Sequence, residues 1–177
     1  MNPVIISEGY MLLETKRCTL TKLQASDYDN VRRLYVNEEV RKYLGGAWTE
    51  EEAITGSFHR MLASQEGASF WIIREKQTNA FIGLISLDTH HDGVSTEVSY
   101  ELLPEWWGSG YAAETVTAVI DYAFRELGLP EVIAETQAAN KASCRLLERI
   151  GMSFRDTVQR FGEQQAIYGI TNRGIVS

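Results

Sequence analysis

Several features are scarce in this chain of 177 residues. Two cysteines, Cys18 and Cys144, are too few for a disulfide framework. No apolar run approaches the roughly 20 residues that a membrane-spanning helix needs, and the first residues lack the basic leader and apolar core of a signal peptide. Basic residues number 17 against 24 acidic ones, whereas a nucleic-acid partner requires a basic face. We therefore expect a cytoplasmic protein without a membrane or nucleic-acid partner.

The composition is that of a globular protein, and the length predicts one domain over residues 1–177. Apolar residues alternate in some segments and recur at helical spacing in others, which predicts strands and helices respectively. Strands are predicted at 17–23, 68–74, 80–87, 96–102, 131–137 and twice within 152–170. Helices are predicted at 27–36, within 37–44, from a capping box at Thr49–Glu52 to 63, and at 112–127 and 140–150. Residues 1–16 are ambiguous. Three antiparallel strands in a row predict an α+β fold with a mixed sheet.

Two glycines, Gly108 and Gly110, stand between a predicted strand end and a predicted helix start. Glycines expose the backbone, and the first amides of a helix favour an anion such as phosphate. A tight turn without a ligand is the plainer alternative. A Walker loop is excluded because no Lys-Ser/Thr pair follows. A dinucleotide fingerprint needs an acid about 20 residues later, where Glu131 and Glu135 stand, but the antiparallel strands count against a nicotinamide dehydrogenase.

Three segments resemble the GNAT superfamily of acyl-CoA-dependent N-acetyltransferases, and within it the RimJ/RimL-like branch. The segment Leu13–Leu20 is similar to that branch's opening Glu-Thr-x-Arg-Leu-x-Leu-Arg. The stretch Trp107-Gly108-Ser109-Gly110-Tyr111-Ala112 matches the acyl-CoA motif Gln/Arg-x-x-Gly-x-Gly/Ala, with the Trp that is typical of the branch. Asn140–Ser143 followed by Leu147–Met152 matches the second motif, with Met152 for the usual Phe. The resemblance covers residues 13–170.

The resemblance implies a GNAT fold: a mixed, mostly antiparallel sheet whose fourth and fifth strands splay apart, with helices on both faces. It implies acetyl-CoA as cosubstrate, with pantetheine along the main chain of Leu102 and Leu103. The pyrophosphate cradle implied is Trp107, Gly108, Ser109, Gly110, Tyr111, Ala112 and Ala113. Asn140 would bind pantetheine, although Asn also caps helices well. Ser143 would protonate the CoA sulfur, and Arg145, with Lys141 and Arg149, is a candidate for the 3′-phosphate.

Two acids are candidates for the base that takes the proton of the amine. Glu97 resembles the branch's acid in Ala-Glu-x-Gly-Tyr and shares a strand face with Ser99 and Glu101. Glu135, five residues before Asn140, lies where N-terminal acetyltransferases of the superfamily hold a base that acts through water. A solvated sheet face is the plainer interpretation of both.

The acceptor implied is a primary amine: a protein N-terminus such as that of a ribosomal protein, a lysine or a small molecule. The adjacent His90 and His91 lack metal-ligand spacing, so no metal is expected. Cys144 is read as a small buried hydrophobe and not as a nucleophile. The final hairpin could pair two subunits in a homodimer. A non-catalytic acyl-CoA-binding or regulatory module is the alternative function, since it would keep the glycine stretch but need neither the acid nor Ser143.

Overall fold

The computed structural model describes residues 4–7, 10–65 and 67–174, and within them nine strands form a single sheet. The strands are β1 (Val4–Ser7), β2 (Tyr10–Glu14), β3 (Cys18–Lys22), β4 (Ser69–Glu75), β5 (Phe81–Thr89), β6 (Thr96–Leu102), β7 (Glu131–Gln137), β8 (Ser153–Arg160) and β9 (Glu163–Thr171). Their order across the sheet is β1-β2-β3-β4-β5-β6-β7-β9-β8. Neighbours run antiparallel except for the pair β6 and β7, which is parallel.

Five α-helices connect the described strands: α1 (Tyr28–Tyr35), α2 (Glu38–Arg41), α3 (Glu51–Ala63), α4 (Tyr111–Arg125) and α5 (Lys141–Arg149). Short 3₁₀ turns lie at Ala25–Asp27 and Pro104–Trp106. None of the helices in the described ranges is long and apolar enough to cross a membrane.

The helices lie on both faces of the sheet, and each face has its own apolar core. One core joins α4 and α5, through residues such as Leu147, to inward side chains of the sheet, among them Trp71 and Val98. The other joins α1 and α3 to the opposite face through Leu34, Phe58 and other buried residues. Because successive strand residues point to opposite faces, β6 serves both: Val98, Tyr100 and Leu102 point toward α4 and α5, and the residues between them point the other way.

The parallel strands β6 and β7 touch at one end and separate at the other. They are paired at a single register position, Glu97 with Ile133. By contrast, β6 pairs with β5 over its whole length, from Thr96 to Leu102. The sheet therefore contains a V-shaped gap that opens toward the carboxyl ends of β6 and β7, next to the glycine stretch that follows Leu103.

The predicted strands and helices after residue 16 are present, and the splayed mixed sheet is confirmed. The ambiguous amino-terminal segment forms β1 and β2, whose β-branched Val4, Ile5 and Ile6 favour extended backbone. The capping box predicted at Thr49–Glu52 is wrong: α3 begins after Glu50, which makes no side-chain cap.

Candidate active site

The glycine stretch forms a loop of left-handed backbone that leads directly into α4. Gly108 has φ +77° and Gly110 has φ +84°, and Gly110 is the N-cap of the helix. A side chain at either position would strain the backbone, because L-residues rarely adopt such angles. In the described residues no protein acceptor is recorded for the amides of Gly108, Ser109 and Gly110, and the first bond at the helix start is made by Glu114. The loop therefore presents amides toward an anion.

Arg17, in the turn between β2 and β3, fastens this loop to the sheet. Its Nη1 donates to Ser109 O at 2.9 Å and its Nε to Glu114 Oε1 at 2.9 Å. The guanidinium also lies 4.0 Å from the centre of the Tyr111 ring. Thr15 donates a further hydrogen bond to Glu114. The start of α4 is thus fixed by residues from the far end of the sequence, and a positive charge lies beside the exposed amides.

The main chain at the end of β6 differs from the prediction at two positions. The Leu103 amide donates to Ile82 O on β5 at 2.9 Å, and the Trp107 amide donates to Pro104 O at 3.1 Å. Neither amide is therefore directed at a ligand, which corrects the expected roles of Leu103 and Trp107. Leu102 is registered opposite Gly83 and precedes Leu103, so the antiparallel alternation turns its N–H away from β5 and toward the gap.

Side chains from the glycine loop, α5 and β6 border the gap on the α4–α5 face. The Trp107 indole donates to Leu102 O at 2.8 Å, which ties the loop to the strand end. Across the gap, Asn140 caps α5 by accepting from the Ser143 amide at 3.2 Å. The Ser143 hydroxyl lies 2.8 Å from the Tyr100 hydroxyl. Tyr100 points from β6 to α5, so a part-buried pair of hydroxyls lies beside the gap.

Burial raises the pKa of the Tyr100 hydroxyl, while its bond to Ser143 acts in the opposite direction. The phenol is therefore protonated at neutral pH and can donate to Ser143. Sequence reasoning assigned no role to Tyr100, because its proximity to Ser143 depends on how α5 packs.

Glu97 and Glu135 meet on the opposite face of the sheet, at the point where the gap opens. The Glu135 amide donates to Glu97 Oε2 at 3.2 Å, so a side chain replaces main-chain pairing there. Burial, and secondarily the charge of Glu135, raise the pKa of Glu97 to about 7, against opposing effects of His90, the Glu135 amide and Arg160. A carboxyl group of this kind exchanges its proton near neutral pH.

Glu135, by contrast, is already engaged on both carboxylate oxygens. Arg160 Nε donates to Oε1 at 2.9 Å, and the Nε2 atom of His90 is hydrogen-bonded to Oε2. The side chains of His90 and Glu135 are only 2% and 6% exposed. The two candidate bases are thus brought together, but the Glu135 carboxylate is held by an arginine and a histidine, whereas in the described residues the Glu97 carboxylate accepts only from the Glu135 amide.

A second buried ion pair lies farther along the same face of β6. Arg41 Nη1, on α2, donates to Glu101 Oε1 at 2.9 Å, and the guanidinium also donates to Gly46 O and Leu44 O. Arg41 therefore holds the segment after α2 against the sheet beside Trp48. This segment is the wall of the gap on the α1–α3 side.

His90, Glu97 and Glu135 place one potential ligand atom each within 4.8 Å of one another. The arrangement suits a shared proton better than a metal ion. Arg160 already brings a positive charge to Glu135, and the Asp92 amide donates to His90 Nδ1 at 3.2 Å, so the ring proton lies on Nε2.

The remaining predicted residues lie on α5. Arg145 and Lys141 are exposed and line a cavity of about 260 Å³ between α5 and the β8–β9 hairpin. Cys144 lines the same cavity but is 9% exposed, as expected for a small apolar residue.

Sequence reasoning missed four residues of the site: Arg17, Arg41, His90 and Arg160. His90 was read as part of a polar turn, yet it is buried. Each of the four belongs to the site through a partner at least 45 positions away in the chain or, for Arg160, 25 positions away. No local pattern could have indicated such pairs, although a histidine directly after a long apolar strand was a weak signal.

The family model that describes the acetyltransferase (GNAT) domain matches residues 17–153. The chain belongs to the GNAT acetyltransferases. Its splayed sheet, glycine loop and helix start are those of this family, which makes the protein an acetyl-CoA-dependent N-acetyltransferase. The fold and activity inferred from the motifs are thereby confirmed.

Two relatives match most of this acetyltransferase. An uncharacterized N-acetyltransferase of Bacillus subtilis, YoaA, is 30% identical over 92% of this chain and 94% of its own length. The FsC-acetyl coenzyme A-N(2)-transacetylase of Aspergillus fumigatus is 32% identical over 82% of this chain and 66% of its own.

Solved structures share the fold of this GNAT chain at lower identity. A GNAT-family acetyltransferase from Bacillus anthracis has a TM-score of 0.80 at 23% identity, covering 93% of this chain and all of the other. A spermidine N-acetyltransferase from Vibrio cholerae, in complex with CoA and spermine, has a TM-score of 0.76 at 19% identity, covering 88% and 95%. RimL, a ribosomal L7/L12 α-N-protein acetyltransferase in complex with CoA, has a TM-score of 0.74 at 16% identity, covering 89% and 95%.

Proposed function

We propose that this enzyme acetylates a primary amine by direct attack on acetyl-CoA, with Glu97 as the general base. One observation carries the assignment. Of the three glutamates beside the gap, Glu101 pairs with Arg41 and Glu135 with Arg160, whereas Glu97 pairs with no Lys or Arg in the described residues. Glu97 is therefore the carboxylate that can receive an ammonium group and then accept its proton.

The chemistry divides between the two faces of the gap. On the α1–α3 face, Glu97 accepts the proton that the amine must lose as its nitrogen bonds to the thioester carbon. On the other face, the Leu102 amide donates to the carbonyl oxygen as negative charge develops there. When the carbon–sulfur bond breaks, Ser143 gives its proton to the thiolate and Tyr100 replaces it; Tyr100 then takes a proton from water, and Glu97 releases the proton of the amine to water. Each group supplies one atom-balanced step, and no covalent enzyme intermediate is needed.

The loop from Gly108 to Ala113 holds the pyrophosphate through main-chain amides, with Arg17 beside it as a fixed positive charge. Backbone donors allow an acidic chain to bind a polyanion without a basic surface. Asn140 lies at the end of the gap, within reach of the pantetheine amides, and Arg145 supplies positive charge near the 3′-phosphate.

For the acceptor we propose a protein N-terminal amine, as in the RimJ/RimL-like branch. An α-amine has an unperturbed pKa of about 8 and a lysine amine one of about 10.4. A base with a pKa of about 7 matches the α-amine within about one unit but falls well short of lysine. A single unpaired carboxylate also suits one cation better than a polyamine. We propose that residues 1–177 act as one such domain.

The test is an acceptor panel with acetyl-CoA, read by thiol release and intact mass. It includes peptides with free N-termini, the same peptides blocked at the N-terminus but carrying lysine, and spermidine. We expect acetylation of the free N-termini above the other two classes. Faster acetylation of lysine or spermidine would overturn the acceptor assignment. Binding of acetyl-CoA without thiol release on any amine would instead favour the non-catalytic module.

A further inference from the structure

We propose that Glu135 is not the base but a negative charge held in place by Arg160 and His90, which strengthens Glu97 as the proton acceptor. The inference rests on the proposed function, since it assigns how the base of that reaction is tuned. It gives His90 and Arg160, which come from the loop after β5 and the end of β8, positioning roles in catalysis.

The hydrogen bonds of His90 follow from its two neighbours. The Asp92 amide donates to Nδ1 at 3.2 Å, while the Asp92 carboxylate lies farther from the same nitrogen, at 3.4 Å. With Nδ1 as the acceptor, Nε2 donates to Glu135 Oε2. Asp92 is itself fixed, because it accepts from the Val94 and Ser95 amides at 2.8 Å each.

Arg160 completes the arrangement from the other side. Its Nε donates to Glu135 Oε1 at 2.9 Å, and the carboxylate is 6% exposed. Both carboxylate oxygens of Glu135 therefore accept hydrogen bonds from the protein itself, and neither is free to meet a substrate amine. Glu135 thus behaves as a charge and not as a base.

The carboxylate oxygens of Glu97 and Glu135 lie within 4.8 Å of each other. At that distance, in a site partly shielded from water, two negative charges repel strongly enough to favour a proton on one of them. The proton settles on Glu97, because Glu135 has the stronger donors.

Asp88, His91 and Ser99 also lie near Glu97. Asp88 on β5 is its cross-strand neighbour and is exposed to solvent. His91 packs edge-on against His90 at 5.7 Å between ring centres and is also exposed. Ser99 lies next along the same face of β6. Exposed groups are screened by water, so the groups that act on Glu97 most strongly, beside its own burial, are His90, Glu135 and, to a smaller extent, Arg160.

The arrangement predicts shifts of opposite sign, which distinguish an electrostatic role from a structural one. Glu135→Gln removes a negative charge, so the midpoint at which Glu97 titrates should fall by roughly one pH unit. Arg160→Gln removes a positive charge, so the midpoint should rise. Arg160→Lys keeps the charge, so its midpoint should lie closer to that of the unchanged protein than the midpoint of Arg160→Gln does.

The measurement is a ¹³C NMR titration of the full chain labelled at the glutamate side-chain carboxyl. The Glu97 signal is identified by its absence in Glu97→Gln. Asp121→Asn, an exposed acid on α4, is the control for a change in net charge. The acid limb of turnover against pH, recorded on the same variants, should move in the same directions as the titration.

Shifts of the same sign in Glu135→Gln and Arg160→Gln, or no shift in either, would overturn the inference. This result is independent of the acceptor. If Glu97 titrates as expected but no amine is acetylated, the proposed function fails and the electrostatic arrangement stands. If amines are acetylated but the midpoints do not separate, the arrangement fails and the function stands. Loss of fold in a variant is detected by thermal unfolding; if Arg160→Gln does not fold, Arg160→Met, which also removes the positive charge, takes its place in the comparison with Glu135→Gln.

Discussion

The two faces of the β6–β7 gap are built from different parts of the chain. On the α4–α5 face, the site consists mainly of main-chain amides from one continuous stretch, Gly108 to Ala113, and of side chains near the start of α5. On the α1–α3 face, it consists of side chains from five separate places: β6, β7, β8, the loop after β5, and α2. In the function we propose, the first face binds the part of acetyl-CoA that is common to all acceptors, and the second meets the acceptor.

The difference has a physical basis. Main-chain amides can be presented only by particular backbone angles, and Gly108 and Gly110 adopt those angles because they lack a Cβ. A side-chain cluster has no such requirement. Its members need only converge in space, so the pairs Arg160–Glu135 and Arg41–Glu101 leave no pattern in the sequence.

The largest effect is expected at the proposed base, and it should change turnover without changing acetyl-CoA binding. Glu97→Gln removes the proton acceptor but no amide of the loop, so kcat should fall by about 10²- to 10³-fold. The dissociation constant of acetyl-CoA should remain unchanged. Steady-state turnover and calorimetric titration measure the two quantities.

The matched control is Asp88→Asn, which removes an exposed acid opposite Glu97 in the sheet. A loss in that variant as large as in Glu97→Gln would show that charge on this face, and not a base, is required.

The next prediction concerns the glycine loop on the α4–α5 face. In Gly110→Val the backbone can no longer keep φ +84° without strain, and the new Cβ would lie 3.3 Å from Arg17 Nη2. Such strain costs about 1–3 kcal/mol, so acetyl-CoA should bind about ten- to a hundredfold more weakly. Gly128→Val is the control, because Gly128 has φ +64° and open space, remote from the loop. Equal weakening in both variants would refute a specific role for the loop.

The sequence predicted the α4–α5 face of the site better than the α1–α3 face. The glycine loop, the Asn140 and Ser143 positions and the splayed strands followed from local patterns and from the family they resemble. The exclusion of Leu103 and Trp107 did not, because it depends on which carbonyl each amide meets. Glu97 and Glu135 were both proposed as bases, but only their partners in space distinguish them.

A smaller effect is expected when the contacts of Arg17 with the glycine loop are removed. Arg17→Gln removes a charged donor to Ser109 O and the ion pair with Glu114. The loss of about 1 kcal/mol should weaken acetyl-CoA binding roughly fivefold while kcat at saturation changes little. Arg32→Gln, which breaks an exposed ion pair with Glu51, should leave binding unaltered. A fall in kcat alone would place Arg17 elsewhere in the mechanism.

The smallest effect concerns the protonation of the leaving thiolate. Tyr100→Phe keeps the packing but removes the hydroxyl 2.8 Å from Ser143 Oγ; because Ser143 remains as the direct donor, we expect kcat to fall only about two- to fourfold. Tyr122→Phe is the control, since Tyr122 is a buried tyrosine that packs edge-on against Trp71. Turnover identical in the two variants would remove Tyr100 from the proton path.

The most direct test of Glu97 as the base is the dependence of kcat on pH, measured at saturating acetyl-CoA with a peptide that has a free N-terminus. Burial raises the pKa of Glu97 to about 7, and only its ionised form can accept the proton of the amine. Turnover should therefore drop about tenfold for each pH unit below 7 and level off above it, and Glu97→Gln should lack this limb. A profile that stays flat from pH 7 down to 5.5, or a limb that persists in Glu97→Gln, would contradict the assignment of Glu97 as the base.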